Sequence, residues 1–217
     1  MNRLLAILLV LLAATPAKAQ GFFIGGEASL IAYPLWDTEI HDTIVNNGSH
    51  PNTSTEVSGD LGAGIHAGQW INDNFGWEVG YDHMGNASGD FSFWDAAFTN
   101  YYDYSWKAYA KASHAAFLGS INFGRSKLRL KGGLYHASTT VDLTSTSPSI
   151  TSRSWSNSNT GVLLGAGYSF AFTDHLVGNA GINLFNGVEF ADLPSANMNN
   201  TRSENLHKIF VGVDYIF

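Results

Sequence analysis

The chain has 217 residues, a net charge of −7 and no cysteine. Its acidic balance excludes a nucleic-acid partner, which would need basic patches for the phosphates, and the absence of cysteine excludes disulfide bracing. With 23 glycines, five prolines, 13% aromatic and 13% charged residues, it is composed for close-packed strands rather than for a disordered or highly charged surface.

The N-terminus reads as an export signal. Arg3 is followed by the apolar run 4–14 and by the small-x-small site Ala17-Lys18-Ala19 before Gln20. Eleven apolar residues are too few to cross a bilayer as a helix, and no later run reaches the roughly 18 to 20 needed. The expected organisation is a signal peptide over 1–19 and one domain over 20–217. Loss of Arg3 and Lys18 leaves nine basic against eighteen acidic residues.

From Gly21 onward, apolar side chains recur at every second position, the period of a half-buried strand. Strand 1 puts Phe22, Ile24, Gly26, Ala28 and Leu30 on one face and Gly25, Glu27 and Ser29 on the other. A polar loop over 36–58 follows. The stretch 61–85 is the clearest unit: two alternating segments joined by Asn72-Asp73-Asn74, an antiparallel hairpin. In its second arm Phe75, Trp77, Val79 and Tyr81 share one face, and Gly76, Glu78, Gly80 and Asp82 the other.

A second polar loop is predicted over 86–103, then strand 4 over 104–123 with Lys107, Lys111 and Ser113 inward and Ala110, Ala112, Ala116 and Leu118 outward. Gly124-Arg125-Ser126-Lys127 turns into strand 5, where Arg129, Lys131 and Gly133 oppose Leu128, Leu130 and Leu134. After a third loop over 144–158, strand 6 alternates Val162, Leu164, Ala166, Tyr168, Phe170 and Phe172 with Gly161, Gly165, Gly167 and Ser169. Strand 7 begins at Leu176 and presents Ala180, Ile182 and Leu184 against Asn179, Gly181 and Asn183. A fourth loop over 191–202 leads to strand 8, in which Ile209, Val211, Val213, Tyr215 and Phe217 oppose Lys208, Gly212 and Asp214.

Eight strands whose connections alternate strictly between long and short, beginning with long, define an architecture. A soluble sandwich has no reason to collect its long loops at one end or to lengthen its strands. A transmembrane barrel has both: tilted strands of about ten residues cross the hydrocarbon, and closure pairs backbone groups that lipid would leave unsatisfied. The prediction is an all-β, eight-stranded antiparallel up-and-down barrel in a bacterial outer membrane, with short periplasmic turns and four long extracellular loops. Two aromatic girdles are expected, one of Phe22, Phe75, Trp77, Phe123, Phe170, Phe172, Tyr215 and Phe217, the other of Tyr33, Trp36, Tyr101, Tyr102, Tyr104 and Trp106.

Inward charges are then Glu27, Glu78, Asp82 and Asp214 with Lys111, Arg129, Lys131 and Lys208. Four acids and four bases in a barrel just wide enough for its own side chains predict a neutralised plug rather than an ion path. The histidines show no metal-ligand spacing, and neither a metal nor a cofactor is expected.

The stretch 61–85, with LGAG and GWEVGYDHMG about an aromatic-rich turn, resembles the transmembrane domain of the OmpA family. Fainter likeness runs through 21–27, 130–134, 165–173 and the C-terminal strand. The resemblance implies an outer-membrane protein, and the chain's end at Phe217 leaves no room for that family's periplasmic peptidoglycan-binding domain. Glu78 matches one acid of the family's interior ion-pair constellation, whereas Phe117, Ser169 and Asn179 occupy positions where its charged members are expected, so a gate of that kind is not expected. Val211-x-Val213-x-Tyr215-x-Phe217 is similar to the signal by which the barrel assembly machinery recognises its clients.

His136 and Ser138 share a face and resemble the His-x-Ser of lipid A deacylases, in which histidine activates serine. An orienting acid is missing, since Glu189 reads as inward, and Thr139 stands where that family has Asn. No catalysis is expected. The leading reading is a structural envelope protein in contact with outer-membrane lipid and lipopolysaccharide. Its rivals are a surface adhesin or receptor for a host or phage ligand, a narrow channel and a lipid A hydrolase.

Overall fold

The computed structural model describes residues 20–32, 50–51, 58–59, 61–94, 101–145, 152–191 and 201–217. Residues 1–19, expected from sequence to be a signal peptide, lie outside them, as do Tyr33 and Trp36. Eight strands form the wall: β1 (Gln20–Ala32), β2 (Leu61–Trp70), β3 (Phe75–Trp94), β4 (Tyr101–Phe123), β5 (Ser126–Ser145), β6 (Arg153–Ala171), β7 (Leu176–Ala191) and β8 (Thr201–Ile216). Each pairs antiparallel with its neighbours in sequence, and β1 closes the ring on β8 with Glu27 opposite Gly212. Closure removes both sheet edges.

The tight turns are built by local hydrogen bonds. Asn72 Oδ1 accepts from the amides of Asn74 (2.9 Å) and Phe75 (2.8 Å). Thr173 Oγ1 accepts from those of His175 (3.2 Å) and Leu176 (3.0 Å). Gly124 takes the φ of +66° that lets β4 reverse into β5. At this end Phe22 packs on Phe217 (5.8 Å between centroids), Phe170 on Phe172 (5.4 Å) and Tyr215 on Phe217 (5.1 Å), a girdle of rings on the outer wall.

The outer wall carries an apolar band: Ile24, Leu30, Ile65, Tyr81, Phe117, Ile121, Leu130, Leu134, Val162, Leu164, Ile182 and Val211 are all exposed. Nine residues per strand, as from Phe22 to Leu30, span about 30 Å along the chain, and tilt brings that to the height of a membrane's apolar core. Above the band β3 to β6 continue as 19 to 23 residue strands.

Several expectations are corrected. Most of the second predicted loop is strand, since β3 runs to Trp94 and β4 starts at Tyr101, and β6 begins at Arg153 inside the third. Their Ser, Thr and Asn residues stand on both faces beyond the apolar band, so no apolar alternation marks them. Strand 4 has the opposite parity: Ala110, Ala112, His114, Ala116 and Leu118 are buried, while Lys107, Lys111, Ser113 and Phe117 point outward. Phe117, Ile121 and Phe123 belong to the lipid face, and beside Tyr135 and Phe185 the narrow interior takes the small Ala108, Ala110 and Ala112 of this strand. Trp106 is 1% exposed and Tyr104 packs against the core, so neither joins an outer girdle. The register shifts around Asn186 and Gly187, which puts Val188 and Phe190 in the buried cluster, while the half-buried Glu189 accepts from Asn157 Nδ2 at 3.2 Å.

The interior charge network as candidate functional site

Inward positions on seven strands supply one connected polar cluster: Glu27 from β1, His66 from β2, Glu78 and Asp82 from β3, His114 from β4, Arg129 and Lys131 from β5, Asn179 from β7, and Lys208 and Asp214 from β8, with the buried Ser29 Oγ and Asn183 Nδ2 left without a hydrogen-bond partner. Glycine on the inward face makes the room. A Cβ at Gly64 would lie 2.5 Å from Asp82 Oδ1, and one at Gly80 2.5 Å from His114 Cε1.

The contacts run as a chain. Lys208 Nζ donates to both Glu27 and Asp82. Asp82 Oδ2 lies 3.0 Å from His114 Nδ1, whose Nε2 lies 3.0 Å from Glu78 Oε1. Glu78 is held by Lys131 (2.6 Å) and Arg129 (3.7 Å). Arg129 also donates to Asp214 (3.1 Å) and to Asn179 Oδ1 (2.7 Å), and Asp214 takes His66 Nε2 at 2.8 Å.

The charges close. Four carboxylates face three permanent cations, Lys208, Arg129 and Lys131. His114 meets a carboxylate oxygen with each ring nitrogen, and as an imidazolium, which donates from both, it would supply the fourth positive charge. Lys111, read from sequence as the fourth base, stands on the outer wall instead. His66 and His114 were missed because histidine carries no fixed charge in a sequence count; the outward parity of Phe117, Ile121 and Phe123 is the signal that would have placed His114 inside.

Both ends of the network are covered by hydrocarbon. Towards the tight turns sit Phe23, Trp70 and Leu118, with Arg129 over the Phe23 ring at 5.8 Å and over the Trp70 ring at 5.4 Å. Towards the long connections, Met84, Trp106, Tyr135, Leu163, Phe185, Val188, Phe190 and Leu206 form a buried cluster. Between the layers, Glu78, Arg129, Lys131 and Asn183 help line a cavity of about 30 Å³, enough for one or two waters.

The remaining sequence candidates lie outside the lumen. His136 and Ser138 are exposed on the outer wall, and His136 Nδ1 lies 3.2 Å from Thr160 Oγ1. The residues opposite them, Ser113, Lys111, Thr160 and Ser158, supply no carboxylate. Val211, Val213, Tyr215 and Phe217 face outward along β8, and the Phe217 amide donates to Phe22 O at 2.9 Å.

A closed eight-stranded wall with an apolar exterior and a charged interior is an outer-membrane design, and the sequence matches the outer membrane protein beta-barrel domain family over residues 4–217. The chain belongs to this family. As a family member it is a bacterial outer-membrane protein with its tight turns on the periplasmic side. Neisserial surface protein A is similar at 14% identity and a TM-score of 0.50, covering 92% of this chain and 99% of that one. The N-terminal barrel domain of Pseudomonas aeruginosa OprF is similar at 13% identity and a TM-score of 0.50, over 92% and 100%. The outer membrane protease OmpT of Escherichia coli aligns at 10% identity and a TM-score of 0.49, over 92% and 95%. Such identities bear on the fold alone. No curated protein matches the chain.

Proposed function

We propose that this outer-membrane barrel is a closed structural element of the envelope, neither a channel nor an enzyme. One observation carries the reading: the charge-balanced network lies between two apolar layers, Phe23, Trp70 and Leu118 on the periplasmic side and the Trp106, Tyr135, Phe185 and Phe190 cluster on the other. An ion entering the lumen would have to displace tightly packed hydrocarbon and then break paired charges. Planar-bilayer recording of the refolded protein tests this. No stable conductance is expected, and discrete, long-lived current steps would overturn it.

Insertion through the barrel assembly machinery, guided by Val211, Val213, Tyr215 and Phe217, belongs to the same proposal. A second reading, a surface adhesin or receptor, is favoured by the continuation of β3 to β6 beyond the apolar band. Those extensions lift backbone and polar side chains clear of the lipid, and cell binding lost on shortening them, with the barrel still folded, would support it.

A further inference from the structure

The corrected orientation of Lys111 leaves a cation on the outer wall just above the apolar band, and its neighbours are suited to an anion. Lys111 lies directly opposite Ser138, and Ser113 directly opposite His136. All four side chains are exposed on the same face, at the corners of a patch about 5 Å wide across the strands and 7 Å along them. On one flank His83 sits opposite Lys111, its Nδ1 buried and without a hydrogen-bond partner. On the other, Thr160 engages His136 Nδ1, which leaves Nε2 free to turn outward. Directly below, Tyr81, Leu134 and Val162 mark the edge of the band at 46%, 60% and 47% exposure.

The depth identifies the occupant. In an outer membrane the groups at the upper edge of the hydrocarbon are the headgroups of the outer leaflet, and phosphate is their anionic chemistry. We infer that Lys111, Ser113, His136 and Ser138 form a binding site for a phosphate group of an outer-leaflet lipid headgroup, such as the phosphorylated sugar of lipid A. Lys111 is not committed elsewhere: it makes no ion pair among the described residues, whereas Lys107 lies opposite Asp142. Asp142, the nearest outward acid along β5, is four residues past Ser138, about 13 Å away. The ammonium and two hydroxyls supply donors for three phosphate oxygens, with His136 Nε2 a fourth. The inference is independent of whether the lumen conducts.

The test uses the full-length refolded protein in phosphatidylcholine vesicles doped with either bis-phosphorylated or enzymatically dephosphorylated lipid A. Native mass spectrometry reads the lipid retained after detergent release. The wild type is expected to retain the phosphorylated lipid about tenfold better, and Lys111→Gln to abolish the difference, as expected for loss of a charge-assisted hydrogen bond. Ser138→Ala should reduce it and Lys107→Gln should leave it intact, with heat-modifiable migration checking that each variant is folded. Equal retention of the two lipids, an unchanged Lys111→Gln variant, or an equal loss from Lys107→Gln would overturn the site. Displacement of the lipid by millimolar inorganic phosphate would overturn the lipid assignment in favour of a free-anion site. Retained lipid should have its full mass; acyl loss that Ser138→Ala prevents would replace a holding site with a hydrolase.

Discussion

Nε2 of His114 on β4 lies 3.0 Å from Oε1 of Glu78 on β3, while the opposite nitrogen of the same ring lies 3.0 Å from Asp82. A ring that donates twice, as an imidazolium does, satisfies both carboxylates at once, and the test is whether His114 acts as a structural cation. Replacing it by glutamine keeps the size but turns a carbonyl oxygen towards one carboxylate. His114→Gln is expected to destabilise the barrel by roughly 3 kcal/mol or more, the cost of leaving a buried charge uncompensated. Urea unfolding in lipid vesicles, followed by tryptophan fluorescence, measures it. In the double variant with Glu78→Gln the losses should be clearly less than additive, because one substitution removes the partner the other offends. Full additivity would show that the two residues do not interact.

Lys208 and Lys111 form a matched pair for testing which lysine belongs inside. Lys208 is 1% exposed and serves Glu27 and Asp82 together; Lys111 is exposed on the outer wall. Lys208→Met should cost roughly 3–5 kcal/mol by stranding two carboxylates. Lys111→Met in phosphatidylcholine, which contains none of the proposed lipid A ligand, should stay within about 0.5 kcal/mol, as for other surface substitutions. Similar losses from both would place Lys111 back in the lumen.

The contrast between the two lysines also shows where sequence reading succeeds. On β6 and β8 apolar residues occupy every second place from Val162 to Phe172 and from Ile209 to Phe217, and Gly165, Gly167, Ser169, Gly212 and Asp214 stand among the places between them. Hydrocarbon outside and a narrow polar lumen inside leave those strands one parity. On β4 the alternation is alanine against lysine and serine. Alanine is accepted by lipid and by a crowded interior alike, and lysine beyond the apolar band faces outward at little cost, so the charge pattern misleads. The register shifts near Met84 and near Gly187 are equally hidden, because one extra residue inverts every later side chain without altering composition. Glu27, Glu78, Asp82, Arg129, Lys131, Lys208 and Asp214 were readable as inward from their partners on the pleat; the two histidines that join them were marked only by the outward Ile65 and Phe117 of their strands, with no fixed charge to single them out.

The periplasmic-side turn offers a smaller, local test. Asn72 Oδ1 receives two backbone amides, those of Asn74 and Phe75, and Asn74 Nδ2 donates to Ser120 O at 2.8 Å on the next strand. Asn72→Ala removes an acceptor from exposed amides that water can then serve, so its cost should be about 1 kcal/mol. Asn74→Ala should cost a similar amount and add a loss of amide-exchange protection near Ser120 that Asn72→Ala does not show. Hydrogen exchange by mass spectrometry distinguishes the two.

The apolar band can be located by the cost of placing charge on it. Ile65 is 67% exposed at the middle of β2, flanked across the strands by Gly26 and Tyr81. Thr160 is equally outward on β6 but lies just beyond Val162, the last apolar residue of that strand's outer face. Arginine at Ile65 must be accommodated near the bilayer midplane and should cost roughly 2–4 kcal/mol, whereas at Thr160 its guanidinium reaches the headgroups and the cost should fall to about 0–1 kcal/mol. Reversible unfolding of Ile65→Arg and Thr160→Arg in the same vesicles gives the comparison, and the difference should vanish in detergent micelles, which adapt to a charged wall. Equal costs in vesicles would place the upper edge of the hydrocarbon above Thr160, and with it Lys111 and His136 within lipid rather than among the phosphates.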